Sequence, residues 1–81
     1  MKKLLFFSAS YCGACKAIKP IVMSEAPAKG YEVVYLDMDT DEGAELADEY
    51  KVRSLPTLIV LEDEIEIKRA VGNTAWEEIQ R

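Results

Sequence analysis

Apolar runs recur at short intervals along the chain, and their periods divide it into strands and helices. Leu4-Leu5-Phe6-Phe7 is continuous and of strand length, so a first strand buried on both faces is predicted over Leu4–Ser8. From Gly13 to about Pro27, Ile18, Ile21, Val22 and Ala26 recur at helical spacing while Lys16 and Lys19 share an outer face. Pro20 falls inside this helix and is expected to kink it, and Pro27 helps to end it. Tyr31–Asp37 is rich in β-branched and aromatic residues and reads as a second strand. A short helix over Glu42–Tyr50 follows, entered through Thr40 or Asp41 as N-cap. Thr57–Leu61 is the most strand-like run of all. Asp63 and Glu64 form a turn, and Ile65–Ala70 alternates as an edge-type hairpin strand. Val71-Gly72-Asn73 breaks that strand, and Thr74 caps a last helix that runs to Arg81 with Trp76 and Ile79 on its buried face.

The order is β-α-β-α-β-β-α. Its first crossover is long enough for parallel pairing and its last two strands form a hairpin. This is an α/β pattern with a four-stranded mixed sheet and three helices, and 81 residues bound it to one domain, 1–81. A charged fraction of 31% and no run approaching ~20 apolar residues argue against a membrane protein. A net charge of -5 disfavours nonspecific binding to nucleic acid. The start, Met1-Lys2-Lys3 and then Leu4 to Phe7, imitates a secretory signal, but its apolar part is shorter than a signal core of ~7–15 residues. An uncleaved cytoplasmic chain is the expectation.

Both cysteines lie in Ser10-Tyr11-Cys12-Gly13-Ala14-Cys15-Lys16, at the junction of the first strand and first helix. Residues three apart share a helix face, so the two sulfurs can reach disulfide distance with little backbone movement. Cys12 stands at the helix start, where unpaired N–H groups and the helix dipole stabilise a thiolate and depress its pKa. A structural staple is a poorer reading, because Cys-x-x-Cys closes almost no loop. A zinc site wants four ligands, and the sequence has two cysteines and no histidine, so only a dimer would complete one. Asp37 to Gly43 resembles the opening of a calcium loop but has Glu42 where the turn glycine belongs and Asp48 in the last ligand position. A strand end followed by a helix cap describes it better.

The element order and motifs resemble the thioredoxin superfamily over nearly the whole chain. Phe7 to Lys16 is similar to the family's active-site segment, with a Cys-Gly-Ala-Cys centre. Pro20 stands where that helix carries its proline. Tyr50-Lys51-Val52-Arg53-Ser54-Leu55-Pro56-Thr57 resembles the segment that holds the family's cis-proline, and Val71-Gly72 its glycine turn. The size is that of a glutaredoxin, since the β-α unit that precedes the first strand in full thioredoxins is missing. Tyr11 replaces the usual Trp and Ala14 the Pro between the cysteines. Phe6 replaces a buried aspartate that assists proton transfer, and Tyr35 that aspartate's lysine neighbour. Proton transfer to and from Cys15 would then go through water, the departing thiolate, or Asp37 or Asp39 if either approaches.

The resemblance implies a dithiol oxidoreductase that reduces protein disulfides and needs no cofactor beyond its own reversible disulfide. Cys12 would be the nucleophile and Cys15 the resolving thiol. Leu55 would offer its backbone to a substrate strand before a cis Pro56, and Tyr11, Gly13, Ala14 and Gly72 would border the docking groove. Plainer readings stand beside these: Tyr11 as a packing residue, Pro56 as an ordinary trans turn proline, Lys16 as a solvated helix charge. Lys19 reads as surface and Trp76 as core. The implied partners are protein disulfides and an electron donor of the thioredoxin-reductase type, with a monomer expected. Two alternatives remain: a glutathione-dependent, glutaredoxin-like enzyme, and a non-enzymatic module that binds a partner or shares a metal through the same thiols. Gly-Ala between the cysteines, and no Gly-Gly with an acidic pair after the last strand, separate the chain from glutaredoxins.

Overall fold

In a computed structural model that describes residues 2–81, the apolar run of the first strand becomes the centre of a four-stranded sheet. The elements are β1 (Lys2–Ser8), α1 (Gly13–Ala28), β2 (Tyr31–Asp37), α2 (Asp41–Glu49), β3 (Thr57–Glu62), β4 (Ile65–Val71) and α3 (Ala75–Ile79). The sheet order is β2-β1-β3-β4. β1 pairs parallel with β2, Leu5 opposite Val34, and antiparallel with β3, Leu5 opposite Ile59.

Two strand neighbours and two covered faces explain why β1 carries no polar alternation. Leu4 and Phe6 point into one cluster with Ile18, Val22 and Ala26 of α1, Leu58 and Val60 of β3, and Trp76 and Ile79 of α3. Leu5 and Phe7 point into the other with Leu36, Ala47, Ile59 and Leu61, beneath α2. α1 and α3 thus cover one face and α2 the other. Trp76 is buried, packs edge-on to Tyr31, and donates its indole N–H to Glu25 of α1 at 2.8 Å.

Several boundaries differ from the sequence reading. β1 starts at Lys2, because the two lysines still pair with Tyr31 and Glu32 of β2. α1 passes unbroken through Pro20, whose side is exposed, and runs past Pro27 to Ala28 before Gly30, at φ 91°, turns the chain. Ile21 lies on the outer side of α1 and is half exposed. Thr40 is the N-cap of α2, its hydroxyl accepting the Gly43 N–H at 3.1 Å. Thr74 holds the N-cap position of α3 but makes no such bond. Its hydroxyl donates to the Glu78 carboxylate at 2.7 Å instead, and α3 ends at Ile79.

The alternation expected for the hairpin strand is interrupted by a β-bulge: Val60 faces Lys68, but Leu61 faces Glu66. Ile67 is the extra residue, and it and Ile65 are exposed. The bulge brings Glu66 and Arg69, three apart, onto one face, where they pair at 2.7 Å. Arg69 also donates to the Tyr50 carbonyl at 2.8 Å, tying the edge strand to the end of α2. Such a bulge and its charges also blunt the edge against pairing with another chain.

Candidate active site

The thiols sit where β1 ends and α1 begins, at the C-terminal end of the central strand. Ser8 is the last residue of β1, and Ala9 O accepts the Cys12 N–H at 3.2 Å, folding the loop into a turn that delivers Cys12 to the N-cap of α1. Cys12 has extended backbone, φ -98° and ψ 105°, as an N-cap residue should. Its sulfur accepts the Cys15 backbone N–H at 3.1 Å, doing what a serine or aspartate oxygen does at other helix starts. The two cysteines form a disulfide with Cα atoms 5.3 Å apart. Cys12 is partly exposed and Cys15 fully buried.

A groove of about 350 Å³ opens beside Cys12, lined by Tyr11, Cys12, Met38, Val52, Arg53 and Leu55. The sequence-predicted Tyr11, Cys12 and Leu55 therefore come together. Gly13, Ala14, Pro56 and Gly72 lie outside this lining. Pro56 follows a cis Leu55–Pro56 peptide bond and is buried, with its carbonyl accepting the Gly72 N–H at 2.9 Å. Gly72 has φ 98°, in the region that favours glycine, so it is the turn that holds Pro56 from behind. The Thr57 hydroxyl donates to the Ser54 carbonyl at 2.6 Å and fixes the loop from the other side. Met38, Val52 and Arg53 are the groove residues that motif reading missed. Val52 and Arg53 lie three and two residues before Leu55 on the same loop, and Met38 is the lone apolar residue between Asp37 and Asp39. That spacing is the only signal that pointed to them.

Behind the thiols, Phe6 is wholly buried and meets Tyr35 edge-on, with ring centroids 5.3 Å apart. The Tyr35 hydroxyl donates to the buried Ser8 hydroxyl at 3.0 Å. Lys19, read as surface from sequence, lies 4.2 Å from the Tyr35 ring centroid, a cation–π contact. Asp39 accepts the Ser10 N–H at 3.1 Å, which joins the active-site loop to the β2–α2 loop. Side-chain and backbone hydrogen bonding from Ser10 holds the Asp39 carboxyl below its ordinary value. Asp37 in turn accepts the Asp39 N–H at 2.8 Å. Among the described residues, no group of three or more His, Cys, Asp or Glu is placed to hold a metal ion, and no helix is long and apolar enough to cross a membrane.

This disulfide, at a helix start beside a cis-proline loop, can be compared with known proteins. A family model described as thioredoxin matches residues 1–81. The chain belongs to the thioredoxin family. It is 39% identical to the thioredoxin H-type of Fagopyrum esculentum over 82% of this chain and 56% of that relative. With the thioredoxin of Chlamydia trachomatis it shares 39% identity over 85% of this chain and 67% of the relative. The thioredoxin structure of Fasciola hepatica superposes with a TM-score of 0.85 at 29% identity, over 98% of this chain and 75% of that one. The chain thus spans between half and two thirds of its first curated thioredoxin relatives. The order and mixed sheet derived above are the thioredoxin fold.

Proposed function

We propose that this thioredoxin-family chain is a thiol–disulfide oxidoreductase that reduces protein disulfides, with Cys12 as nucleophile and Cys15 as resolving thiol. One observation carries the reading: the Cys12 sulfur opens onto a groove while accepting a helix N–H, and Cys15 is sealed beneath it. In the reduced protein that N–H favours the thiolate, the reactive form. The Cys12 thiolate attacks one sulfur of the substrate disulfide, forming a mixed disulfide and expelling the other sulfur as thiolate. Cys15 then loses its proton and attacks the Cys12 sulfur. The substrate leaves fully reduced, and its two electrons have come from the pair, now the Cys12–Cys15 disulfide.

Leu55 supports substrate docking by strand addition. Among the described residues, neither its backbone N–H nor its carbonyl takes part in a hydrogen bond, so both are free for an extended peptide. Phe6 is a buried apolar side chain and cannot take the Cys15 proton, which leaves water, the departing thiolate, Asp37 or Asp39 as its acceptor.

The test is reduction of insulin disulfides by the purified chain, driven in parallel by a thioredoxin reductase and by glutathione with its reductase. Turnover with the first donor is expected, together with loss of turnover in Cys12→Ser and accumulation of mixed disulfide in Cys15→Ser. Turnover only with glutathione would move the chain to the glutaredoxin-like reading. Turnover unchanged in Cys12→Ser would end the proposal.

A further inference from the structure

The groove beside Cys12 carries one charge. Tyr11, Met38, Val52 and Leu55 give it apolar or amphipathic walls, and Arg53 is its only ionisable side chain besides the thiol and the tyrosine. In a chain of net charge -5, this is a local reversal of sign. The arginine is also uncommitted. Among the described residues the ion pairs are Lys3–Glu64 and Arg69–Glu66, and Arg53 is exposed and takes part in neither. The nearest acids in sequence to the groove wall, Asp37 and Asp39, are engaged elsewhere: Asp39 accepts the Ser10 N–H and Asp37 the Asp39 N–H.

Position matters as much as charge. Arg53 stands two residues before Leu55, whose backbone is free to pair with a substrate strand. The loop bends between the two, and both side chains line the groove beside Cys12. A peptide that pairs with Leu55 and presents its cysteine to Cys12 would therefore place a side chain near the guanidinium within two residues of that cysteine. A guanidinium selects planar carboxylates and rejects cations.

Resting on the disulfide-reductase reading above, we propose that Arg53 is a specificity-determining residue, and that the substrates of this site are protein disulfides with an acidic residue within two positions of the attacked cysteine. The occupant is an extended, acidic segment of a partner protein. Arg53 does no chemistry in the exchange and touches only the substrate's flank.

The experiment uses the reduced full chain and short peptides whose cysteine carries a neutral 2-thiopyridyl group. Glu, Gln or Lys stands two residues from the cysteine on either side. Attack by the Cys12 thiolate on the peptide sulfur breaks the peptide–thiopyridyl bond and releases pyridine-2-thione, which is followed by absorbance. Cys15 then displaces the peptide thiol. The second-order rate constant should fall from Glu to Gln to Lys by about two- to fivefold at each step, the range of an exposed ion pair. The ordering should vanish at about 1 M salt, where charges are screened within roughly 3 Å. In Arg53→Ala the Glu-to-Lys ratio should collapse towards one, and in Arg53→Glu it should invert. Arg53 is exposed, so these variants keep the fold, and a merely structural role would change all three peptides alike and leave the ratio untouched.

An ordering that survives in Arg53→Ala would assign it to the helix N-terminus at Cys12 and overturn the inference. So would the absence of any ordering in the wild type. Failure to release thione from every peptide, in a chain whose circular dichroism is native, would instead bring down the dithiol reading beneath it.

Discussion

At the scale of single residues, the two cysteines of one disulfide live in different surroundings, and that asymmetry is the site's main property. Cys12 is partly exposed and accepts a helix N–H, whereas Cys15 has no exposed surface. In the reduced protein at neutral pH, iodoacetamide should modify Cys12 at least about tenfold faster than Cys15, since thiolate fraction and access both favour it. Peptide mapping after brief alkylation measures this, and equal labelling would contradict the assigned roles. Asp39 gives a pH signature of its own. Its carboxyl titrates below its ordinary value because of Ser10, so it binds protons less readily in the folded than in the unfolded chain. Its stabilising contribution is therefore complete above the ordinary aspartate pKa and disappears as pH falls through the depressed native value. The difference in urea midpoint between wild type and Asp39→Asn should hold from pH 7 to about 5 and shrink towards pH 3. A difference that grows on acidification would mean that Ser10 does not favour the charged form. Cys12 was placed in the site from its spacing to Cys15, and Leu55 from standing just before Pro56 in the segment that resembles the family's cis-proline loop. Arg53 was not, because an exposed arginine on a loop looks the same whether or not a groove forms beside it.

At the scale of elements, strands and helices followed their apolar periods closely, and the departures have local causes. Helix ends moved where proline was tolerated: Pro20 and Pro27 lie in α1, and tertiary packing of Ile18, Val22 and Ala26 against β1 outweighs the lost hydrogen bonds. The bulge of β4 left no mark in the sequence, because Ile65-Glu66-Ile67-Lys68 alternates as a regular strand would. Only in the folded hairpin does Arg69 turn towards Glu66 and Tyr50. The β3–β4 turn invites a test. Asp63 and Glu64 both have positive φ, 51° and 70°, a region disfavoured for residues with a side chain. Glycine is the usual occupant of the second position in such a two-residue turn. Glu64 does hold Lys3 at 2.9 Å, but that pair is solvent-exposed and offsets only a small part of the backbone effect. Glu64→Gly should therefore stabilise the chain by about 0.5 kcal/mol, after allowing for glycine's greater freedom when unfolded. Urea denaturation decides it: a lower midpoint would mean that the pair with Lys3 outweighs the backbone.

At the scale of the whole molecule, one strand belongs to both cores. β1 gives Leu4 and Phe6 to the layer under α1 and α3, and Leu5 and Phe7 to the layer under α2. Neither layer can dissolve while β1 stays in place, so the two should unfold together. Trp76, the only tryptophan, reports on one layer, and far-UV circular dichroism reports on all helices and strands. Their urea transitions should coincide within error, and a tryptophan transition at clearly lower urea would show that α3 detaches first. The sheet order has a consequence in time as well as in space. Of the four strands in this sheet β1 is synthesised before the others, yet its antiparallel neighbour β3 comes third among them. A ribosome adding about 5–20 residues per second needs several seconds to travel from Cys15 to the end of β3. Through that interval the nascent chain carries two thiols with neither a sheet behind them nor a groove in front. An oxidant that meets the growing polypeptide reaches Cys12 and Cys15 as ordinary cysteines, and the selectivity described above begins only when β3 closes against β1.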